Sequence, residues 1–371
     1  MNLPVTLTVL LLLTTLSPGA ADASGGDRFA HLHQLLEEDR IADVHAVIVE
    51  HQGQRVFERY YTAYDENWGS ALGEISHSPE RKHDLRSVSK SVSALLLGMA
   101  LGDDWRADLQ RPIADYFPEH AEPLGRGYEA VTLEDVLTMQ AGIEWNEMTE
   151  PYGDGEGNYN PENDENRLYD TDDPLALILA RDVVTEPGTA WYYNGGLTQL
   201  IGFVTQAEAG EPFLRFAEER LFEPLGIEDY DWRRSDAWTE GVPPATASGL
   251  RLTTPDLATI GRLILDRGVW QGEQLVDPAW VDAMTARHVE SIPWFNGDGR
   301  TSGYGYQWYR GTIDGVDVSF AVGNGDQRIL VFPERDLVIT IHAGRYNDFS
   351  QPTGLLVSRA VFAALDGHAT N

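Results

Sequence analysis

The chain has 371 residues, a hydrophobic share of 42% and a formal net charge of −32, from 59 acidic against 27 basic residues. A core of one large domain or two closely packed ones is within reach, while so acidic a surface repels a polyanion and attracts anionic lipid weakly, so nucleic acid is excluded as an expected partner. There is no cysteine, so disulfides, thiol nucleophiles and lipid-modified cysteines are excluded as well.

The apolar run from Val5 to Leu16, then Ser17-Pro18-Gly19 and a small-residue stretch ending Ala21-Asp22-Ala23, read as a secretory signal over 1–23. A secreted or periplasmic location follows, with no membrane span, because the run is too short and no other approaches 18 apolar residues. Helical periodicity is next seen over 27–40, and strands are expected at 45–50 and 55–61, joined through Gln52-Gly53-Gln54 as a hairpin. Helices are then expected at 89–101, 133–140, 174–180, 197–209 and 212–221, with an acidic loop over 152–173. Strands return at 316–322, 328–332 and 337–342, and a helix over 351–365 closes the chain. The simplest assembly is an α+β fold. One antiparallel sheet, built from 24–85 and 246–371 and flanked by the N- and C-terminal helices, carries a large, mostly helical insertion at 86–245, with a site in the cleft between them.

Only two lysines occur, and Lys90 follows Ser87 by three residues in Ser87-Val88-Ser89-Lys90-Ser91. Val88, Val92, Leu95, Leu96 and Met99 form a buried helical stripe, which leaves Ser87, Lys90 and Ser91 together near the helix start. A serine there is a candidate nucleophile and the amine its candidate base, since burial disfavours the charged form of a lysine by up to roughly 3 to 5 pKa units. The helix start also offers unpaired amides and a positive dipole end to an oxyanion. Read alone, the pair is equally a helix cap and a surface lysine.

Two later segments supply company: Pro187-Gly188-Thr189-Ala190-Trp191-Tyr192-Tyr193-Asn194-Gly195-Gly196, leading to Leu200-Ile201-Gly202, and Gly323-Asn324-Gly325 with Asp326. Together with Ser87 and Lys90 they resemble the β-lactamase-related serine hydrolases, especially the class C-like branch of esterases, D-aminopeptidases, DD-peptidases and 6-aminohexanoate-dimer hydrolases, over nearly the whole mature chain. The resemblance implies a β-lactamase/penicillin-binding-protein-like fold and a catalytic tyrosine. Phasing from both flanks places it at Tyr193, with Tyr192 as the alternative. It implies substrate contacts from Asn194, Gly323, Asn324 and Gly325, and an oxyanion amide from Asp326. Tyr116-Phe117-Pro118-Glu119 and the stretch from Leu137 to Trp145 match the same family and read as structural.

The expected reaction is two-step acyl transfer on an ester or amide of a small molecule or peptide, without metal or organic cofactor. The third motif begins with Gly323 where penicillin-binding relatives place a cation. Unless Arg328 or Arg345 compensates, a DD-peptidase or β-lactamase is therefore the second reading, and a silent binding protein on the same scaffold the third. Asp154, Glu156, Asn158 and Glu165 fit a calcium-loop spacing, but Tyr159 replaces its turn glycine, so a solvated loop is expected. No histidine spacing suggests a zinc hydrolase, and His83 is expected on the surface or in a loop. Oligomeric state is not readable from the chain.

Overall fold

The computed structural model describes residues 27–120, 124–153 and 160–367, so the signal over 1–23 lies outside the described residues. The first part of the chain runs α1 (Ala30–Glu37), β1 (Val44–His51), β2 (Gln54–Tyr60), β3 (Thr62–Asn67), β4 (Ser70–Ser76), β5 (Lys82–Asp84) and α2 (Val88–Leu101). Next come α3 (Trp105–Asp108), α4 (Leu133–Leu137), α5 (Asp164–Asp170), α6 (Pro174–Leu179), α7 (Gly195–Ala209), α8 (Phe213–Ala217), α9 (Glu223–Leu225) and β6 (Asp231–Trp232). The last part holds β7 (Leu250–Thr253), α10 (Thr254–Leu265), β8 (Val269–Trp270), β9 (Glu273–Gln274) and α11 (Pro278–Met284). It ends in β10 (Arg300–Tyr304), β11 (Tyr309–Ile313), β12 (Val316–Gly323), β13 (Gln327–Phe332), β14 (Leu337–Ala343) and α12 (Thr353–Leu365).

Both ends of the chain meet in a seven-stranded sheet of order β10-β11-β12-β13-β14-β1-β2. The junction is antiparallel, with Val47 opposite Ile341 and Ile48 opposite Thr340. Strands β1, β13 and β14 read as nearly continuous apolar runs because both faces of the sheet are covered. Leu330, Phe332, Ile339 and Ile341 pack with Leu32 and Leu36 of α1 and Leu355 and Val361 of α12. The alternate residues Ile329, Val331 and Val338 pack on the opposite face with Leu257, Ile260 and Leu263 of α10, within the larger core that also takes in α2 and α7. This is the α+β architecture expected, with the terminal helices on one face.

The differences are local and physical. The helix expected over 133–140 stops at Leu137, because Met139 takes the left-handed conformation at φ +59°. The one expected over 212–221 is α helical only through Ala217 and continues as a π-helical turn, Glu218–Phe222. Hairpin β3–β4 and helices α10 and α11 were not anticipated; β4 is mostly exposed and gives little apolar signal. Among the described residues no helix is long and apolar enough to cross a membrane.

Candidate active site

Helix α2 is buried nearly all round, as a central core helix must be. Its inward serines are satisfied by neighbouring backbone: Ser91 Oγ donates to Gln307 O (2.7 Å), Ser93 Oγ to Thr246 O (3.0 Å), and Ser89 Oγ accepts from Leu250 N (3.1 Å). The approach to the helix is fixed too. Strand β5 pairs with β7, and the Leu85 amide extends that pairing to Leu250 O at 2.9 Å. Arg86 then turns the chain in the left-handed conformation, φ +49°, a strained setting for a non-glycine residue. Its guanidinium is held by Asp84 at 3.2 Å and lies over the rings of Trp68 and Tyr346. Ser87 follows at the helix start with its hydroxyl uncommitted to capping.

One turn on, the wholly buried Lys90 points its Nζ at Ala247 O (2.8 Å) and Ser87 Oγ (3.4 Å). Among the described residues no carboxylate forms an ion pair with it. Tyr193 completes the group: its hydroxyl donates to Ser87 Oγ at 2.7 Å, and Lys90 Nζ sits 4.9 Å from its ring centroid. Burial first, and the negative Glu147 second, push the Tyr193 phenol well above its usual value of 10, so it stays protonated and able to donate. Its position depends on Met139, whose carbonyl accepts the Tyr192 amide at 2.9 Å. Trp191 and Trp294 pack around the Tyr193 ring as an aromatic wall. Tyr192 is 39% exposed and does not share this contact with Ser87.

The neighbouring candidates divide. Asn194 is buried and caps α7, its side chain accepting from Leu197 N at 3.1 Å. Gly323, at the end of β12, lies so close to the segment before Ser87 that a Cβ there would fall 2.1 Å from Leu85 O, so only glycine fits. Asn324 exchanges side-chain and backbone hydrogen bonds with Asn347. Gly325 has φ +94° and packs on Tyr346. The Asp326 amide, expected to serve an oxyanion, instead closes the turn by donating to Gly323 O at 3.1 Å. Its carboxylate is buried against Arg328 and Thr353. Neither arginine supplies a free cation: Arg328 is held by Asp326, and Arg345 by Asp43 and Asp348.

Sequence reasoning missed Glu147. It is buried beside the Tyr193 segment and accepts from Gly195 N (2.6 Å), Trp145 Nε1 (2.8 Å) and Tyr152 OH (2.8 Å). Burial, then the charge of Glu165, push its carboxyl up to about 7, against the opposing pull of Lys90. Glu165, counted in the calcium spacing, is itself buried and accepts from Ser248 Oγ at 2.8 Å; Asp154, Glu156 and Asn158 lie outside the described residues. His83 was misplaced: it is a wholly buried residue of β5, not a surface or loop residue. The strand pairing to β7 and three neighbouring imidazoles enclose it.

The arrangement brings a hydroxyl, an amine and a protonated phenol to one point, a set able to activate a serine hydroxyl toward an acyl carbon. The family model for Beta-lactamase matches residues 30–354. The chain belongs to the β-lactamase family. It is 26% identical over 329 residues to the 6-aminohexanoate-dimer hydrolase of Paenarthrobacter ureafaciens, covering 84% of this chain and 74% of the relative. It is 30% identical over 147 residues to the lovastatin esterase of Penicillium rubens, covering 39% of this chain and 31% of that one. A family VIII carboxylesterase shares the fold with a TM-score of 0.67 at 17% identity, over 91% of this chain and 97% of the other. The octameric penicillin-binding protein homologue from Pyrococcus abyssi does so with a TM-score of 0.67 at 19% identity, over 92% and 77%. The protein is thus a β-lactamase-related hydrolase.

Proposed function

We propose that this β-lactamase family member is a secreted serine hydrolase that cleaves ester or amide bonds of small molecules or peptides through a Ser87-Lys90-Tyr193 acyl-enzyme mechanism. The observation that carries it is the convergence of Lys90 Nζ and Tyr193 OH on Ser87 Oγ, at 3.4 and 2.7 Å. Lys90 takes the hydroxyl proton as Oγ attacks the carbonyl carbon. The oxyanion forms beside the Ser87 amide, for which no hydrogen-bond partner is found among the described residues, whereas the Val88, Ser89 and Lys90 amides close the first turn of the chain into α2. As the bond to the alcohol or amine breaks, the leaving group takes a proton from the Tyr193 phenol, which Lys90 restores. Water, losing its proton along the same path, then attacks the acyl carbon and frees Ser87. Secretion rests on the apolar run and small-residue stretch before residue 24.

Specificity for general acyl substrates over penicillins is supported by Gly323 standing where a cation would bind a substrate carboxylate, with Arg328 and Arg345 already paired. The aromatic wall of Trp191 and Trp294 suits an apolar acyl or leaving group. Purified protein is expected to turn over p-nitrophenyl esters and to be labelled at Ser87 by a fluorophosphonate. No labelling of folded protein together with no ester turnover sinks the hydrolase mechanism. Rapid labelling by a fluorescent penicillin transfers the assignment to the DD-peptidase or β-lactamase reading.

A further inference from the structure

A second buried polar cluster lies at the start of β1, where β1, β3, β5 and the connection from β4 to β5 meet. His45, Asp65, His77 and His83 are all buried there, and one ligand-capable atom from each lies within 4.8 Å of the others. We propose that Nδ1 of His45, ring nitrogens of His77 and His83 and a carboxylate oxygen of Asp65 form a structural site for a first-row transition dication, zinc above all, outside the hydrolytic centre.

The contacts around the cluster are those of ligands held in place from behind. His45 Nε2 faces Tyr64 O at 2.8 Å, and donating to that carbonyl fixes the tautomer that leaves Nδ1 with its lone pair inward. That Nδ1 lies 3.2 Å from Nδ1 of His83. Two nitrogens on a tetrahedral zinc stand about 3.3 Å apart. Asp65 Oδ1 accepts from Glu66 N (2.8 Å) and Tyr346 OH (3.1 Å), while Oδ2 finds no hydrogen-bond partner. Nε2 of His83 and one ring nitrogen of His77 are also buried without a partner, the Ala63 backbone facing the other nitrogen of His77. Unpaired buried atoms of this kind cost stability, which a bound cation would recover. The His77 ring stacks on that of His45 at 3.9 Å and 15°, so binding requires it to rotate until its lone pair meets those of the other ligands at one metal.

Arg81 Nε lies 3.8 Å from Asp65 Oδ2, and its side chain is 33% exposed, free to swing into solvent when a dication arrives. His342 stacks on His83 and is turned to Thr254 Oγ1 at 2.9 Å, so it walls the site and is not counted among the ligands. With all four ligands buried there is no open position for a metal-bound water, which marks a structural and not a catalytic site. Its mechanical effect is to clip β3 and β5 to β1, and β5 leads directly into Ser87.

The test uses the full secreted chain, refolded from denaturant with zinc, cobalt(II), nickel(II) or copper(II), or with a chelator alone. Expected are about one metal ion per chain by elemental analysis, a visible cobalt absorption of the four-coordinate type, and a melting temperature several degrees above that of the chelator-refolded protein. His77→Asn and Asp65→Asn should each lose the bound metal and the metal-dependent part of the melting temperature. Metal content below about 0.1 per chain with every ion tried, with identical melting with and without chelator, overturns the proposal without recourse to any variant. Retention of a full equivalent by both variants overturns it as well, since the metal then sits on other side chains.

Discussion

The molecule buries two polar groupings within a few residues of each other along β5 and α2, and they are built in opposite ways. At Ser87, Lys90 and Tyr193 each side-chain polar atom has a hydrogen-bond partner, and Ser87 is only half-buried. At His45, Asp65, His77 and His83 the groups are sealed from solvent and several atoms point at no hydrogen-bond partner. A site that must admit a substrate keeps its own hydrogen bonds closed and its mouth open. A site that is to be filled once, during folding, shows the reverse. The comparison therefore separates chemistry from scaffolding, and each variant below tests on which side of it a residue stands.

The largest effects belong to the first grouping. Ser87→Ala and Lys90→Met should each lower kcat/KM for a p-nitrophenyl ester by at least about 10³-fold, with near-UV circular dichroism unchanged. Activity in either within a factor of ten of wild type would remove that residue from the mechanism. Tyr193→Phe retains the ring that packs on Trp294 and removes only the hydroxyl, so a fall of about 10² to 10⁴-fold is expected, as for loss of a proton-transfer group. Tyr192→Phe is the paired control, expected within about two-fold of wild type, since an exposed phenol away from Ser87 carries no proton for the reaction. Reversal of the two outcomes would restore Tyr192 as the catalytic tyrosine.

What could be read in the sequence follows the same division. The Ser87-Lys90 relation is local, three residues on one helix, and the apolar stripe of Val88, Val92 and Leu95 fixed the face on which the two would meet. The sheet was equally legible, because Val47 to Val49 and Ile339 to Ile341 are runs that only a strand covered on both faces tolerates. Tyr193 needed the family resemblance to choose it over Tyr192. Nothing local marks Glu147, whose partners Gly195 and Tyr152 approach it only through packing. The histidine cluster draws on residues 45 to 83 across three strands and a connection, a spacing no ligand motif shares. The Asp326 amide was misread because a Gly-x-Gly turn looks the same whether its last amide faces a substrate or closes the hairpin.

Glu147 tests the comparison by pH, because it is buried like the histidines yet fully hydrogen-bonded like the Ser87, Lys90 and Tyr193 group. Its carboxyl is raised from 4.5 to about 7. The folded state therefore binds the proton more tightly than the unfolded chain, and stability falls as pH rises from about 4.5 through about 7. Fully ionised, above that window, the group costs on the order of 3 kcal/mol. Glu147→Gln keeps an acceptor for Gly195 and Trp145 and can donate to Tyr152, but cannot ionise. The difference in unfolding free energy between the two proteins, from denaturant titrations at pH 5 and pH 8, should move in favour of Gln by that order. A difference that does not change with pH would mean that Glu147 does not titrate there.

The smallest effect decides the role of Asn194. The family's substrate-binding asparagine falls at Gly195 by the phasing that selects Tyr193, with Asn194 one place early as the candidate contact, whereas the Asn194 side chain accepts from Leu197 N as the cap of α7. Loss of such a cap costs about 1 kcal/mol, and serine replaces asparagine at caps nearly without loss. Asn194→Ala should then lower unfolding free energy by about that amount while KM for esters and amides stays within about two-fold, and Asn194→Ser should restore the stability. If KM for amide substrates rises ten-fold in both variants while stability holds, Asn194 belongs to substrate recognition and the cap is incidental. The serine variant carries the distinction, because its short hydroxyl can reach the Leu197 amide but cannot reproduce a carboxamide contact to a substrate.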